Sequence, residues 1–398
     1  MMRKWRAWFA GSGRRTDLDL PVDLTSPEFF ANPAPIYAAL RENAPVAPVA
    51  GGGFILSRHA DIVAAMSDSR LGNAPSRFSV LAEKNRDKSV AAAVAANIPP
   101  FLDKHRHIEM RRAVSGAFHT TFRIAQDWIG TCAREAVETR HGKDVDLIAE
   151  VARPYVCRVM SRFVGLPDEA DAIKAATNGF FHLFAPISDR AVFEQVNRQL
   201  VDARSFIARS LDANPQSASL LCALTEAGLC REEVVDNALL VLADGIENIE
   251  AAIALSFRHI YKHREDIPTG TPTDAIVDEC LRLDTPGQII PRVAREDLEL
   301  EGVSISKGVP VFLALGSANL DDAVFSEPTA FRLDRPTRNV LTFGLGRHSC
   351  IGAPLGKLQI VAMIDALTAA GASPRHEKQM DFHHRFGHRW PKSFSIQF

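Results

Sequence analysis

A single cysteine, Cys350, stands in a loop of small and aromatic residues. Within LTFGLGRHSCIGAPLGKLQ (341–359) the fixed points are Phe343, Gly344, Gly346, His348, Cys350 and Gly352. Glycines let backbone approach a flat partner and take turns closed to other residues. A helical spacing follows at once: Ala353, Leu355, Leu358, Ile360 and Val361. Amides converging on the sulfur, with the positive end of that helix nearby, favour the thiolate. Such a thiolate can hold a haem iron from one face and push electron density onto it. The plainer alternative is a structural cysteine buried in a turn.

Three further groupings carry chemistry. His107 and Arg111 are four apart, so on a helix they share a face. Two cations there repel unless an anion lies between them. Asp244-Gly245-Ile246-Glu247-Asn248 interrupts an apolar helical run. Gly inside a helix costs about 1 kcal/mol against Ala, and buried polar groups cost more unless paired or hydrated. Both oddities make sense where a helix opens over a bound cofactor to hold oxygen and water. Glu279 and Arg282, three apart, can form a charge-assisted pair.

Taken together, in this order, the motifs resemble those of the cytochromes P450 over roughly residues 25–398, most closely the soluble bacterial type. The resemblance implies one mainly α haem-binding domain with a small β region, preceded by an N-terminal arm (1–24). It implies haem b with Cys350 as axial ligand, cradled by Phe343, Gly344, Gly346 and Gly352. His107, Arg111, Arg292 and His348 match propionate-binding positions, with haem propionates as the anion between His107 and Arg111. Glu279, Arg282 and Arg335 match a structural lock beneath the haem, and Asn319 and Asp321 match positions in the run toward the haem loop.

Glu247, Asn248, Gly245 and Asp244 match the oxygen-binding groove, with two departures. Asn248 stands where the family usually has Thr, and Asp244 replaces a small residue. The amide keeps a hydrogen-bonding group but lacks a hydroxyl, so proton delivery is expected to use water or a substrate group. The pocket is expected to be lined by Phe78, Val80, Leu81, Ile98, Gly287, Gln288, Ile289 and Ile290. The implied activity is monooxygenation of a small organic substrate, hydrophobic or a natural product, using O2. Electrons would come from a ferredoxin-type partner and its NAD(P)H-dependent reductase, docking on Arg112, Arg347 and Lys357. Oxidative coupling, ring formation or dehydrogenation is the second reading, and a non-catalytic haem-binding homologue the third.

The elements that must position these groups read as follows. Asn32-Pro33 opens a helix ending by Pro45; GGGFILS is turn and strand; HADIVAAMSDSRL is helical. Residues 73–100 lack one period. From about 122 to 262 amphipathic helices follow one another, punctuated by Pro167, Pro186 and Pro215, with Arg231–Ile260 expected as the longest. LELEGVSISKGVPVFLA alternates as a hairpin does.

Composition agrees with a compact enzyme. In 398 residues 46% are hydrophobic, 24% are charged and the formal net charge is −2, so nucleic acid is not an expected partner. The six cysteines show no metal spacing and read as reduced thiols of a cytoplasmic protein. The N-terminal MMRKWRAWFAGSGRR has too short an apolar core to span a membrane.

Overall fold

The computed structural model describes residues 20–398 apart from 78, 141, 186–188, 214, 216–217 and 376–379. The pocket candidate Phe78 and nearly all of the N-terminal arm therefore lie outside the described residues. Helix takes up 54% of the chain, which makes the fold mainly α.

Eight helices position the site: α1 Lys104–Glu138, α2 Arg153–Val164, α3 Ala170–Thr177, α4 Arg190–Asp212, α5 Arg231–Asp244, α6 Glu247–Lys262, α7 Thr273–Leu283 and α8 Ala353–Ala369. Their stripes follow the helical period. In α1 the residues Met110, Val114, Ala117, Phe118, Ala125, Ile129 and Val137 are buried, three, four or seven apart in most cases. Ends are set locally. Asp189 accepts from the amides of Ala191 and Val192 at the start of α4, and Gly165, in the left-handed region, closes α2.

The expected single helix over 231–260 is divided. Gly245 and Ile246 separate α5 from α6, with Ile246 at φ −106° and ψ −73°. A Cβ on Gly245 would lie 2.3 Å from Cε of Met160 in α2. The close crossing of α2 is thus what glycine permits here, and the longest helix is α1, at 35 residues.

The β region holds a five-stranded sheet in the order β1-β2-β8-β5-β3, from Val46–Pro48, Phe54–Leu56, Pro310–Ala314, Ile289–Ala294 and Leu71–Gly72, while β4, Asp144–Asp146, belongs to a separate sheet. Within this sheet β2 and β8 are the parallel pair, and Arg292 sits opposite Val311 in the β5–β8 register. The expected hairpin is β6 Leu298–Leu300 with β7 Val303–Ile305. Its two-residue turn, Glu301-Gly302, has positive φ at both positions, as the strand twist demands.

Two cores result. A large one joins the helices; a smaller one joins the sheet to helices Ala34–Asn43 and His59–Ser67. α8 packs along α1, α6 and α7, so the helix after the cysteine loop rests on the elements carrying the other motifs. No helix among the described residues is long and apolar enough to cross a membrane.

Candidate active site

The cysteine loop turns at Gly344 and Gly346, both left-handed at φ +65° and +70°. Cys350 N donates to Phe343 O at 2.8 Å, and the amides of Gly352 and Ala353 donate toward the sulfur as α8 begins. The convergence expected from the sequence is present, but it does not make a thiolate by itself. Burial first, and then Asp244, outweigh the two amides and Arg111 and push the thiol up to about 11. Yet Cys350 as a residue keeps accessible surface. Surface combined with strong desolvation places the sulfur on the wall of an interior space. Deprotonation there calls for a cation at the sulfur.

Beneath the loop the lock is closed. Arg282, with no exposed side-chain surface, donates to both oxygens of Glu279 at 2.7 Å. Arg335 Nε adds a third contact to Glu279 at 3.3 Å. Arg282 also donates to the carbonyls of Asn319 and Pro328, each at 2.8 Å. Asn319 passes this order upward: its Oδ1 accepts from Leu341 N at 2.7 Å and its Nδ2 donates to Thr342 Oγ1 at 3.0 Å. Asp321 Oδ2 accepts from His59 N, which ties the run to the β region.

His107, Arg111, Arg292 and His348 come together beside the loop. The rings of His107 and His348 stack with centroids 3.9 Å apart. Arg111 donates to Ser349 O at 2.6 Å. Arg292 is 5% exposed, and its hydrogen bond goes to the neighbouring Pro291 carbonyl, not to a carboxylate. Burial lowers Arg292 to about 10. Burial, then the surrounding cations, push His348 down to about 3. His107 Nε2 is buried without a partner. Burial lowers all four groups, neighbouring cations lower the two histidines further, and Asp103 only partly opposes this; such a cluster suits an anion. Among the described residues no three His, Cys, Asp or Glu side chains could hold a metal, so a metal at Cys350 takes its other ligands from a bound group. One thiol facing an interior space and a cationic cluster at its edge fit an iron porphyrin with two carboxylates.

Across that space lies the break between α5 and α6. Asp244 retains surface there, and burial, then Glu247, raise its carboxyl to about 7. Glu247 turns toward α3: its Oε1 accepts from Lys174 Nζ at 3.0 Å, while Oε2 is buried without a partner. Burial raises its pKa and Lys174 opposes the rise. Glu250 binds Arg153 at 3.2 Å and lies 3.9 Å from Lys174. Asn248 Oδ1 accepts from Trp390 Nε1 at 3.0 Å. Gly245 faces Met160 and not the sulfur, so it shapes the break by packing.

The pocket candidates divide. Ile98 has no exposed surface and Leu81 only 6%; both are sealed in the helical core instead of lining a space. Val80 is at the surface. Gly287 pairs with His388, with nothing within 4 Å of a built Cβ. Ile290 shares the alternate positions of β5 with Arg292; Ile289 is buried in the β core and Ile290, half-buried, also packs against it. Gln288 leaves the site for a separate cleft of about 180 Å³ with Tyr37, His259 and Asp284. Of the proposed docking cations, Arg112 and Arg347 are exposed, but Lys357 is held by Asp278 at 2.8 Å.

The sequence reading missed the C-terminal run FHHRFGHRW (382–390) and the stretch FFHLF (180–184). Trp390 meets Phe181 edge to face at 4.7 Å and His388 at 4.4 Å. Phe184 stacks on Phe101, and Arg385 donates to His182 at 2.6 Å. The density of aromatic and histidine residues in both runs was the available signal.

Residues 246–367 match the family model described as cytochrome P450. The chain is 30% identical to cytochrome P450 109 of Bacillus spizizenii over 68% of its own length and 71% of that protein. It is 27% identical to the biotin biosynthesis cytochrome P450 of Bacillus subtilis, over 86% and 90% of the two chains. It is also 26% identical to the 20-oxo-5-O-mycaminosyltylactone 23-monooxygenase of Streptomyces fradiae, over 89% and 86%. The fold matches that of P450BioI in complex with a hexadec-9Z-enoic acid ligated acyl carrier protein. That match has a TM-score of 0.84 at 24% identity, covering 94% of this chain and 100% of that one. It also matches epothilone B-bound P450epoK, at TM-score 0.83 and 21% identity over 94% and 98%.

Proposed function

The chain belongs to the cytochrome P450 family, and from that premise we propose that it is a haem b monooxygenase acting on a small, largely apolar organic molecule. One observation carries the reading: an accessible, desolvated Cys350 faces Asp244 across an interior space edged by four basic side chains. When bound there, haem iron supplies the binding and reductive activation of dioxygen.

The chain's own residues do the rest. Cys350 Sγ would hold the iron, and the Gly352 and Ala353 amides temper its charge. His107, Arg111, Arg292 and His348 would hold the two carboxylates and fix the ring's rotation. Glu247 takes protons from the solvent side, where Lys174 is partly exposed, and passes them inward from its unpartnered Oε2. Asp244, a carboxyl near neutrality, stands between Glu247 and the sulfur as a group able to hold or release a proton. The stacked pair of Phe101 and Phe184 supports an apolar substrate. The relatives named for biotin biosynthesis and for 20-oxo-5-O-mycaminosyltylactone support a small organic one.

Electrons come from a separate protein, read as a ferredoxin with its NAD(P)H-dependent reductase, meeting the exposed Arg112 and Arg347. Asn248 in the usual Thr position favours a second outcome on the same site, dehydrogenation or oxidative coupling without oxygen retained. Product mass separates the two.

The deciding measurement is the absorption spectrum of the reduced, carbon monoxide-treated protein. A strongly red-shifted Soret band that is lost in Cys350→Ser is expected. A band at the histidine-ligated position, or no haem uptake, overturns the reading.

A further inference from the structure

We propose that Trp390 is a positioning residue that fixes which end of the Asn248 amide is presented to the site. This rests on the function proposed above. An indole N–H can only donate. Its 3.0 Å contact to Oδ1 therefore holds the amide oxygen toward Trp390 and turns the NH2 group away from it. Without that contact the amide could rotate by half a turn and present an acceptor instead.

Trp390 is suited to the task because it is itself immobilised. It is 5% exposed and packed against Phe181 and His388. Its carbonyl accepts from His383 N at 2.8 Å, and the next residue, Pro391, pairs with Phe382. The C-terminal hairpin thus delivers one donor to the first turn of α6, from 142 positions away in sequence.

The consequence is chemical. A hydroxyl can donate and accept at once and so pass a proton along; a pinned amide NH2 only donates. Asn248 offers a fixed donor to an acceptor oxygen of substrate or dioxygen, and proton transfer is left to Glu247 and Asp244. The departure from the usual Thr is then a change of role that the distant Trp390 sustains.

The test is the infrared C–O stretch of the carbon monoxide complex, with the fraction of electrons recovered in product. Wild type should give one narrow band. Trp390→Phe keeps a ring but lacks the donor, and should split or broaden the band while recovery falls about 5-fold, the scale of one hydrogen bond. Asn248→Ala should give a single shifted band, and the double variant should match Asn248→Ala, because Trp390 acts only through Asn248. A Trp390→Phe spectrum like wild type, or a double variant displaced beyond Asn248→Ala, overturns the proposal. Should Trp390→Phe not take up haem, Asn248→Asp decides: it keeps an acceptor for Trp390 and replaces the donor by an acceptor. Its band must move, and an unmoved band overturns the proposal. If wild type shows no thiolate-type Soret band, the failure belongs to the function and not to Trp390.

Discussion

The two walls of the interior space are built in opposite ways. The cysteine wall is a closed hydrogen-bonded unit: Glu279 is shared between Arg282 and Arg335, and Asn319 ties Arg282 by hydrogen bonds to the loop. The facing wall is an interrupted helix whose polar groups are only partly satisfied, with Glu247 Oε2 unpartnered and Asp244 poised near neutrality. A rigid wall can hold a ligand atom at fixed geometry, whereas an under-satisfied one can take up water, oxygen and protons. The contrast teaches that stability and reactivity have been separated across the cleft.

The contrast can be broken hardest at the rigid wall. Arg282→Ala should leave Glu279 buried with Arg335 as its one cation and the Arg332 amide as its other donor, a loss of about 3–5 kcal/mol. The expected result is a collapse of soluble, haem-loaded protein, seen in the thermal unfolding midpoint. A variant that melts within a degree or two of wild type would show that the lock is ornamental.

At the edge between the walls, Arg292→Leu separates holding a cofactor from holding a fold. Removing a buried guanidinium that hydrogen-bonds to no carboxylate should leave the apoprotein at least as stable. Haem release to a scavenger should speed up by about tenfold, as one charge-assisted pair is lost. Parallel loss of apoprotein stability would instead make Arg292 a structural cation.

The smallest effect sharpens the reactive wall. Burial holds the Glu247 carboxyl above its ordinary range, and Lys174 pulls it back. In Lys174→Met the opposing cation is gone, so the pKa rises further and Glu247 stays protonated to higher pH. The acid limb of kcat should move toward neutrality. A limb that holds its position while the rate drops would place the titration on another group.

Legibility divides along the same line. The cysteine loop, the Glu279–Arg282 pair, the His107–Arg111 spacing and Arg292 could be read because each is local, with the chemistry carried by residues a few positions apart. The fold class followed from the same motifs. What escaped is non-local. Nothing in 231–260 shows that Met160 will press into Gly245 and divide the helix, nor that Trp390 will find Asn248. Ile98 and Gln288 were assigned to the pocket by segment, but the side on which each side chain emerges is fixed by packing. The thiolate was overestimated for a related reason: the amides are visible in sequence, the burial that opposes them is not.

The β5–β8 register carries a consequence for how this family can vary in length. Arg292 reaches the site because it lies opposite Val311, and side chains alternate across a strand. One residue inserted within 289–292 would turn the arginine to the far side of the sheet, while two would restore its direction. Chain length is therefore free to drift in the outer loops but counted in pairs along this strand, which makes the sheet, small as it is, the ruler against which the helical body is measured.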